Sequence, residues 1–280
     1  MLTARDDSTQ PSHTNRVCID GVELSLVRRG RGTPVVCLHA VGHDAEDFSD
    51  FARRFADRHE VIAIDWPGHG QSEPDPQPTS AARYGQLLIG LLDRLGVERP
   101  IVIGNSIGGT AAIHYASVRP VRALVLCDSG GLVAVDRTVR LFCALFSSFF
   151  ASGARGARWF ACAYALYYRY IVLPNQAART RRAQIVARGA ALAPLLRDAW
   201  RSFAQPEADL RAQLEALRTP IWFAWAKRDR VIPYARVKAC IARCSTSQLS
   251  LFDAGHSAFL ECPDAFAEGF ARFVAQLATG

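Results

Sequence analysis

The feature that most constrains this 280-residue chain is a recurrence of short apolar runs rich in Val, Ile and Leu, separated by longer amphipathic stretches. The runs fall at residues 35–38, 61–64, 101–103, 123–127, 221–225 and 249–252, each too short for a helix. Strands of this kind are buried on both faces, so the pattern predicts an α/β fold: a mostly parallel twisted sheet flanked by crossover helices. Ahead of them, the apolar segments 17–19 and 24–27 flank Asp20-Gly21, which predicts an antiparallel hairpin at one edge.

The rhythm lapses between the fourth and fifth runs. There Phe142, Phe146, Phe149, Phe150, Trp159 and Phe160 recur at helical spacing, with no strand-like run bounded by turns. Residues 132–206 therefore read as a helical cap inserted into one core built from residues 17–131 and 207–280. Residues 1–16 are polar and read as a loose leader. The longest apolar stretch, residues 159–173, is interrupted by Arg169 and falls short of the roughly 20 residues that span a bilayer, which argues against stable membrane insertion.

The formal charge of +7 comes largely from arginine, densest in residues 137–218. It forms no basic stripe with aromatic platforms and no recognised nucleic-acid module, so no nucleic-acid partner is expected. The eight cysteines sit singly in apolar runs and read as buried free thiols in a reducing, cytoplasmic setting. Cys240 and Cys244 lack a second ligand pair at zinc-site spacing, so neither a metal nor a cofactor is expected.

The chemistry centres on residues 101–112, an apolar strand followed by Gly104-Asn105-Ser106-Ile107-Gly108 and a small-residue helix start. On such a sharp turn the serine hydroxyl stands exposed, and glycines are needed where side chains would strike the neighbouring strand and helix. A phosphate-binding turn would call for a Walker lysine or Gly-x-Gly-x-x-Gly, and neither is present. A serine hydroxyl needs a base to take its proton. His256 follows the last apolar run and so falls at the carboxyl edge of the sheet, where sites form. His13 in the leader, His59 in a polar link, His69 in a Gly-rich turn and His114 packing on the helix after the serine suit structural roles better. His39 reads as structural too, and His43 stays open.

The imidazolium that forms needs a carboxylate. Asp229, just past residues 221–225, fits; Asp128 is the rival, with capping of the turn at residues 129–131 as its alternative role. The oxyanion of a tetrahedral intermediate needs backbone donors, expected from Ile107 and from Val41 in the loop after residue 38.

Taken together, Leu38-His39-Ala40-Val41, Asp65-Trp66-Pro67-Gly68-His69-Gly70-Gln71-Ser72, residues 104–109 and the Asp229 and His256 segments resemble, in order, the motifs of the α/β-hydrolase superfamily. Ala40 stands where the family usually has Gly. The resemblance implies the α/β-hydrolase fold with Ser106, His256 and Asp229 as nucleophile, base and acid. Within the superfamily, residues 104–109 and 126–132 are similar to the meta-cleavage-product hydrolases, which cut carbon-carbon bonds. Those enzymes usually carry a tryptophan after the histidine, here Ser257, and a cap arginine, for which Arg179, Arg181, Arg182 and Arg188 are candidates. Asn105, Arg179, Arg182 and Ser257 are accordingly expected at the substrate. Serine at position 106 speaks against dehalogenase and epoxide-hydrolase chemistry, which uses an aspartate there.

The expected activity is hydrolysis of a small hydrophobic ester, lactone or thioester through an acyl-serine. A ketone substrate cut at a carbon-carbon bond, a non-catalytic receptor, and acyltransferase or cyclase use of the same residues are the alternatives. Oligomeric state is open, with a homodimer compatible.

Overall fold

The computed structural model describes residues 13–277. Eight strands form one sheet: β1 (His13–Ile19), β2 (Val22–Gly30), β3 (Thr33–Leu38), β4 (His59–Ile64), β5 (Ile101–Asn105), β6 (Ala123–Cys127), β7 (Ile221–Ala226) and β8 (Ser247–Phe252). Their order is β1-β2-β4-β3-β5-β6-β7-β8, antiparallel across β1, β2 and β4 and parallel from β4 to β8. The hairpin turns at Asp20 (φ 49°) and Gly21 (φ 80°), both in the left-handed region, as a two-residue turn matched to strand twist demands.

Because side chains alternate along a strand, each central strand feeds two cores. Val36, Leu38, Val102, Leu124 and Phe223 pack on one face; Val35, Cys37, Ile103, Val125 and Trp222 pack on the other. The helices are α1 (Ser49–Phe55), α2 (Ala81–Leu95), α3 (Ile107–Ala116), α4 (Arg137–Ala154), α5 (Phe160–Tyr167), α6 (Arg179–Ser202), α7 (Arg211–Ala216), α8 (Tyr234–Ile241), α9 (Ala258–Glu261) and α10 (Pro263–Leu277). Leu87 and Leu91 of α2 and Ala111 of α3 close the first core, while Phe51 and Phe55 of α1 and Phe266, Phe270 and Phe273 of α10 close the second. Between β6 and β7 the chain is helical, with α4 packed on α6 and a π-helical turn, Tyr168–Val172, following α5. Among the described residues no helix is long and apolar enough to cross a membrane.

Three expectations need correction. Residues 13–16 are not leader: they belong to β1, pairing from His13 with Arg28 to Arg16 with Ser25. Edge-strand pairing uses backbone groups and tolerates a wet face, so polarity did not report it; the remaining leader residues, 1–12, lie outside the described residues. Cys18 and Cys162 are exposed, since each sits on an outward face of its element. His59 is buried, its ring against Phe55 and Phe270, because a polar-looking link is in fact the start of β4.

Candidate active site

Strand β5 ends at Asn105 and α3 starts at Ile107, so Ser106 alone makes the turn, with φ 55° and ψ −118°. A non-glycine residue there costs about 1–3 kcal/mol and persists only where surroundings enforce it. The Ser106 N–H donates to the Cys127 carbonyl (3.1 Å), and its own carbonyl accepts from the N–H groups of Gly109 (3.1 Å) and Gly130 (3.0 Å). A Cβ on Gly104 would lie 2.5 Å from the Gly108 carbonyl oxygen, and one on Gly108 would strike that of Leu38. The glycines of the motif thus answer to sterics.

His256 follows β8, and its Nδ1 is 2.9 Å from Asp229 Oδ2. The other Asp229 oxygen accepts from the backbone N–H groups of Val231 (2.7 Å) and Ile232 (2.9 Å), which fixes the carboxylate beyond the end of β7. Burial pulls the His256 pKa down, but the charge and hydrogen bond of Asp229 outweigh it, so the pKa is raised. The His256 loop is shaped by Glu261 of α9, whose Oε1 accepts from the N–H groups of Gly255 (2.8 Å) and His256 (3.1 Å).

Asp128 is fully buried at the end of β6. Burial, joined by the nearby Asp229 charge, pushes its carboxyl well above the usual carboxylate range. Its Oδ1 accepts from the Ala226 N–H of β7 (2.7 Å), so its role is to tie two strand ends and not to cap the turn at residues 129–131; Oδ2 has no hydrogen-bond partner among the described residues.

Ser106 and His256 open onto a cavity of about 270 Å³. Val139, Phe142 and Phe150 of α4 and Leu196 and Trp200 of α6 form much of its wall, with Tyr168 and His43 at one side and Arg230 and Arg236 also contributing. Val41 and Ile107 line it beside Ser106, and neither backbone N–H donates to an acceptor among the described residues. The loop bearing Val41 is held by two buried histidines. His39 accepts from the Trp66 N–H (3.0 Å) and His69 from the Gly42 N–H (2.9 Å). Burial lowers their pKa values to about 4 and about 3, so both are neutral acceptors at neutral pH.

The sequence profile of the alpha/beta hydrolase family matches residues 35–269. The chain belongs to the alpha/beta hydrolase family. It is 30% identical over 266 residues to a pimeloyl-[acyl-carrier protein] methyl ester esterase of Xanthomonas campestris pv. campestris, covering 89% of this chain and 97% of that one. A protein of the same description from Stenotrophomonas maltophilia is 29% identical over 264 residues, covering 89% and 95%. Among solved structures, the esterase RhEst1 from Rhodococcus sp. ECU1013 superposes with a TM-score of 0.77 at 20% identity, covering 95% of this chain and 99% of that chain. A thermophilic esterase from Thermogutta terrifontis gives 0.76 at 19%, covering 96% and 99%.

In this hydrolase the four residues expected at the substrate do not line the cavity. Asn105 donates to the carbonyls of Cys127 and His256 (3.0 Å each) and accepts from the Ser257 hydroxyl (2.8 Å), so both bind the end of β5 to the His256 loop. Arg182 donates to the carbonyl of Leu173, and Arg179 lies exposed at the start of α6. Arg181 instead bridges Asp44 and Asp47 (2.6 Å each), and Arg188 meets Asp44 at 2.6 Å. Sequence reasoning missed this cluster, in which Asp47 also holds His43 Nδ1 (2.6 Å) while His43 Nε2 is 3.1 Å from the Tyr168 hydroxyl. The Asp47–His43 spacing of four residues was its one local signal; Arg181 and Tyr168 arrive from more than a hundred residues away.

Proposed function

We propose that this alpha/beta hydrolase cleaves a hydrophobic carboxylic ester by a serine mechanism. The chain is an ester hydrolase by its kinship with methyl ester esterases along nearly its whole length. The single observation that carries the mechanism is the strained Ser106 sharing one apolar cavity with a His256 whose far nitrogen is held by a buried carboxylate.

In this reading His256 Nε2 takes the Ser106 proton as Oγ attacks the ester carbonyl, and the imidazolium is stabilised by Asp229. The oxyanion meets the N–H groups of Val41 and Ile107. Collapse expels the alcohol with the proton from His256, leaving an acyl-serine that water hydrolyses in the reverse proton sequence. The aromatic wall supplied by α4 and α6 selects an apolar acyl or alkyl group and excludes water from the acyl-enzyme. Residues 132–206 accordingly act as the cap of a core formed by residues 13–131 and 207–277. A cytoplasmic setting, read from the isolated cysteines, belongs to the same proposal.

The carbon-carbon hydrolase reading needed an arginine from α6 in the cavity. None of Arg179, Arg181, Arg182 and Arg188 lines it, which favours ester cleavage. The test is a panel of p-nitrophenyl esters of graded acyl length, run beside fluorophosphonate labelling. Saturable hydrolysis with label on Ser106, both absent in Ser106→Ala, is the expected result. Ester rates equal in parent and Ser106→Ala would refute the mechanism.

A further inference from the structure

Between Leu132 and Asn175 the chain carries five arginines, Arg137, Arg140, Arg155, Arg158 and Arg169, and one carboxylate, Asp136. Asp136 is paired with Arg236 of α8 at 2.9 Å, and all five arginines are exposed. Among the described residues eight large apolar side chains are exposed, and five fall in this segment: Leu141 (63%), Leu145 (61%), Trp159 (53%), Leu166 (50%) and Tyr170 (59%).

These side chains are not scattered. Trp159, Leu166 and Tyr170 are spaced by seven and four residues along α5 and the turn after it, and so share a face. Leu141 and Leu145 are one turn apart on α4. Half-buried Phe149, one turn further, has its ring 5.8 Å from that of Trp159 and joins the two stripes. The opposite side of α4 presents Val139, Cys143 and Phe150 to the cavity. One helix therefore has an inner face on the reaction chamber and an outer face that is apolar and basic.

Single exposed apolar residues need no explanation, whereas a continuous apolar strip amid predominantly positive charge does. A second copy of this chain is a poor fit, because two-fold contact of the strip would set five arginines against five with one carboxylate on each side, Asp136, already paired with Arg236. Trp and Tyr beside Leu, edged by arginine, match the side chains that settle at a headgroup boundary and meet lipid phosphates. We propose that this face docks the enzyme on an anionic lipid bilayer, with Leu145, Trp159 and Leu166 entering the interface. Its acyl-ester cavity would then lie one helix away from an apolar phase.

The test is co-sedimentation of the full chain with vesicles of phosphatidylcholine alone or mixed with phosphatidylglycerol. Binding to the anionic vesicles that weakens with added salt is expected. Replacing Arg140, Arg155 and Arg158 together by glutamine should lower partitioning on the order of 100-fold. Leu145→Ser combined with Trp159→Ser should also weaken it, while neither variant alters far-ultraviolet circular dichroism or turnover of a short soluble ester. Equal partitioning on both vesicles would overturn the proposal. So would unchanged binding by the Leu145→Ser/Trp159→Ser variant, since a purely electrostatic surface is what an acidic protein would use.

Discussion

Arg181 of α6 lies 2.6 Å from the Asp47 carboxylate, which in turn lies 2.6 Å from His43 on the loop after β3. One buried carboxylate thus ties the helical insert to the segment that carries Val41. Burial by itself would favour the neutral acid; His43 and Arg181 outweigh it and hold the Asp47 pKa at about 2. Removing Arg181 leaves that carboxylate with His43 alone, at a cost of about 1–3 kcal/mol, less than the roughly 3–5 kcal/mol of a buried charge left wholly unpaired. Arg181→Met should lower the stability of the protein by the smaller amount in urea unfolding, and adding Asp47→Asn should restore part of it. A midpoint unmoved by Arg181→Met would mean that the tie does not stabilise the fold.

Two aspartates compete for the role of acid in the proposed mechanism, and their surroundings differ. Asp229 receives two backbone N–H groups on one oxygen and His256 on the other, which suits an ionised carboxylate. Burial and the Asp229 charge push the Asp128 carboxyl well above the usual carboxylate range, and its hydrogen bond is from the Ala226 N–H, which an asparagine oxygen can accept equally well. Asp229→Asn should therefore reduce kcat by on the order of 10⁴-fold through loss of the right histidine tautomer. Asp128→Asn should cost less than about tenfold. Steady-state rates on one p-nitrophenyl ester decide between them, and reversed magnitudes would exchange the assignments.

What the sequence made legible was whatever depends on short-range pattern. Strand positions 35–38, 61–64 and 123–127 fall within or coincide with β3, β4 and β6, because a strand buried on both faces has no choice but to be apolar. Ser106 was legible because its turn forces glycines at fixed offsets. Glu261 was not, since a carboxylate accepting N–H groups five and six residues back leaves no compositional mark. Asn105 and Ser257 were misread for another reason. The resemblance to the meta-cleavage-product hydrolases suggested substrate contact, whereas neither residue lines the cavity and the bond between them joins two loops.

In the proposed mechanism His256 must be neutral to accept the serine proton, so the pH–rate profile should follow its titration. Its pKa is raised above 6.5 because Asp229 outweighs the effect of burial. The acid limb of kcat/KM should therefore have its midpoint above 6.5, with activity gained as pH rises and a plateau beyond. In Asp229→Asn burial loses its main opponent, so the residual activity should show a limb shifted to lower pH. A limb that stays in place in Asp229→Asn would assign the titration to another group.

Acid stability depends on the histidine pair behind the Val41 loop. His39 and His69 use their unprotonated nitrogens as acceptors for the Trp66 and Gly42 N–H groups, and burial sets their folded pKa values at about 4 and about 3. In the unfolded chain each would take a proton near 6.5. Below 6.5 the unfolded state thus binds more protons than the folded one, so the stabilisation from these neutral rings is complete above 6.5. It is lost progressively as pH falls from 6.5 toward the folded values. Urea midpoints measured from neutral pH down to about 4 should fall steadily, with the slope of close to two protons that two such groups imply. His69→Gln, which keeps an oxygen acceptor but cannot titrate, should reduce that slope by nearly half even if it lowers stability at neutral pH. An undiminished slope in His69→Gln would place the acid sensitivity elsewhere in the fold.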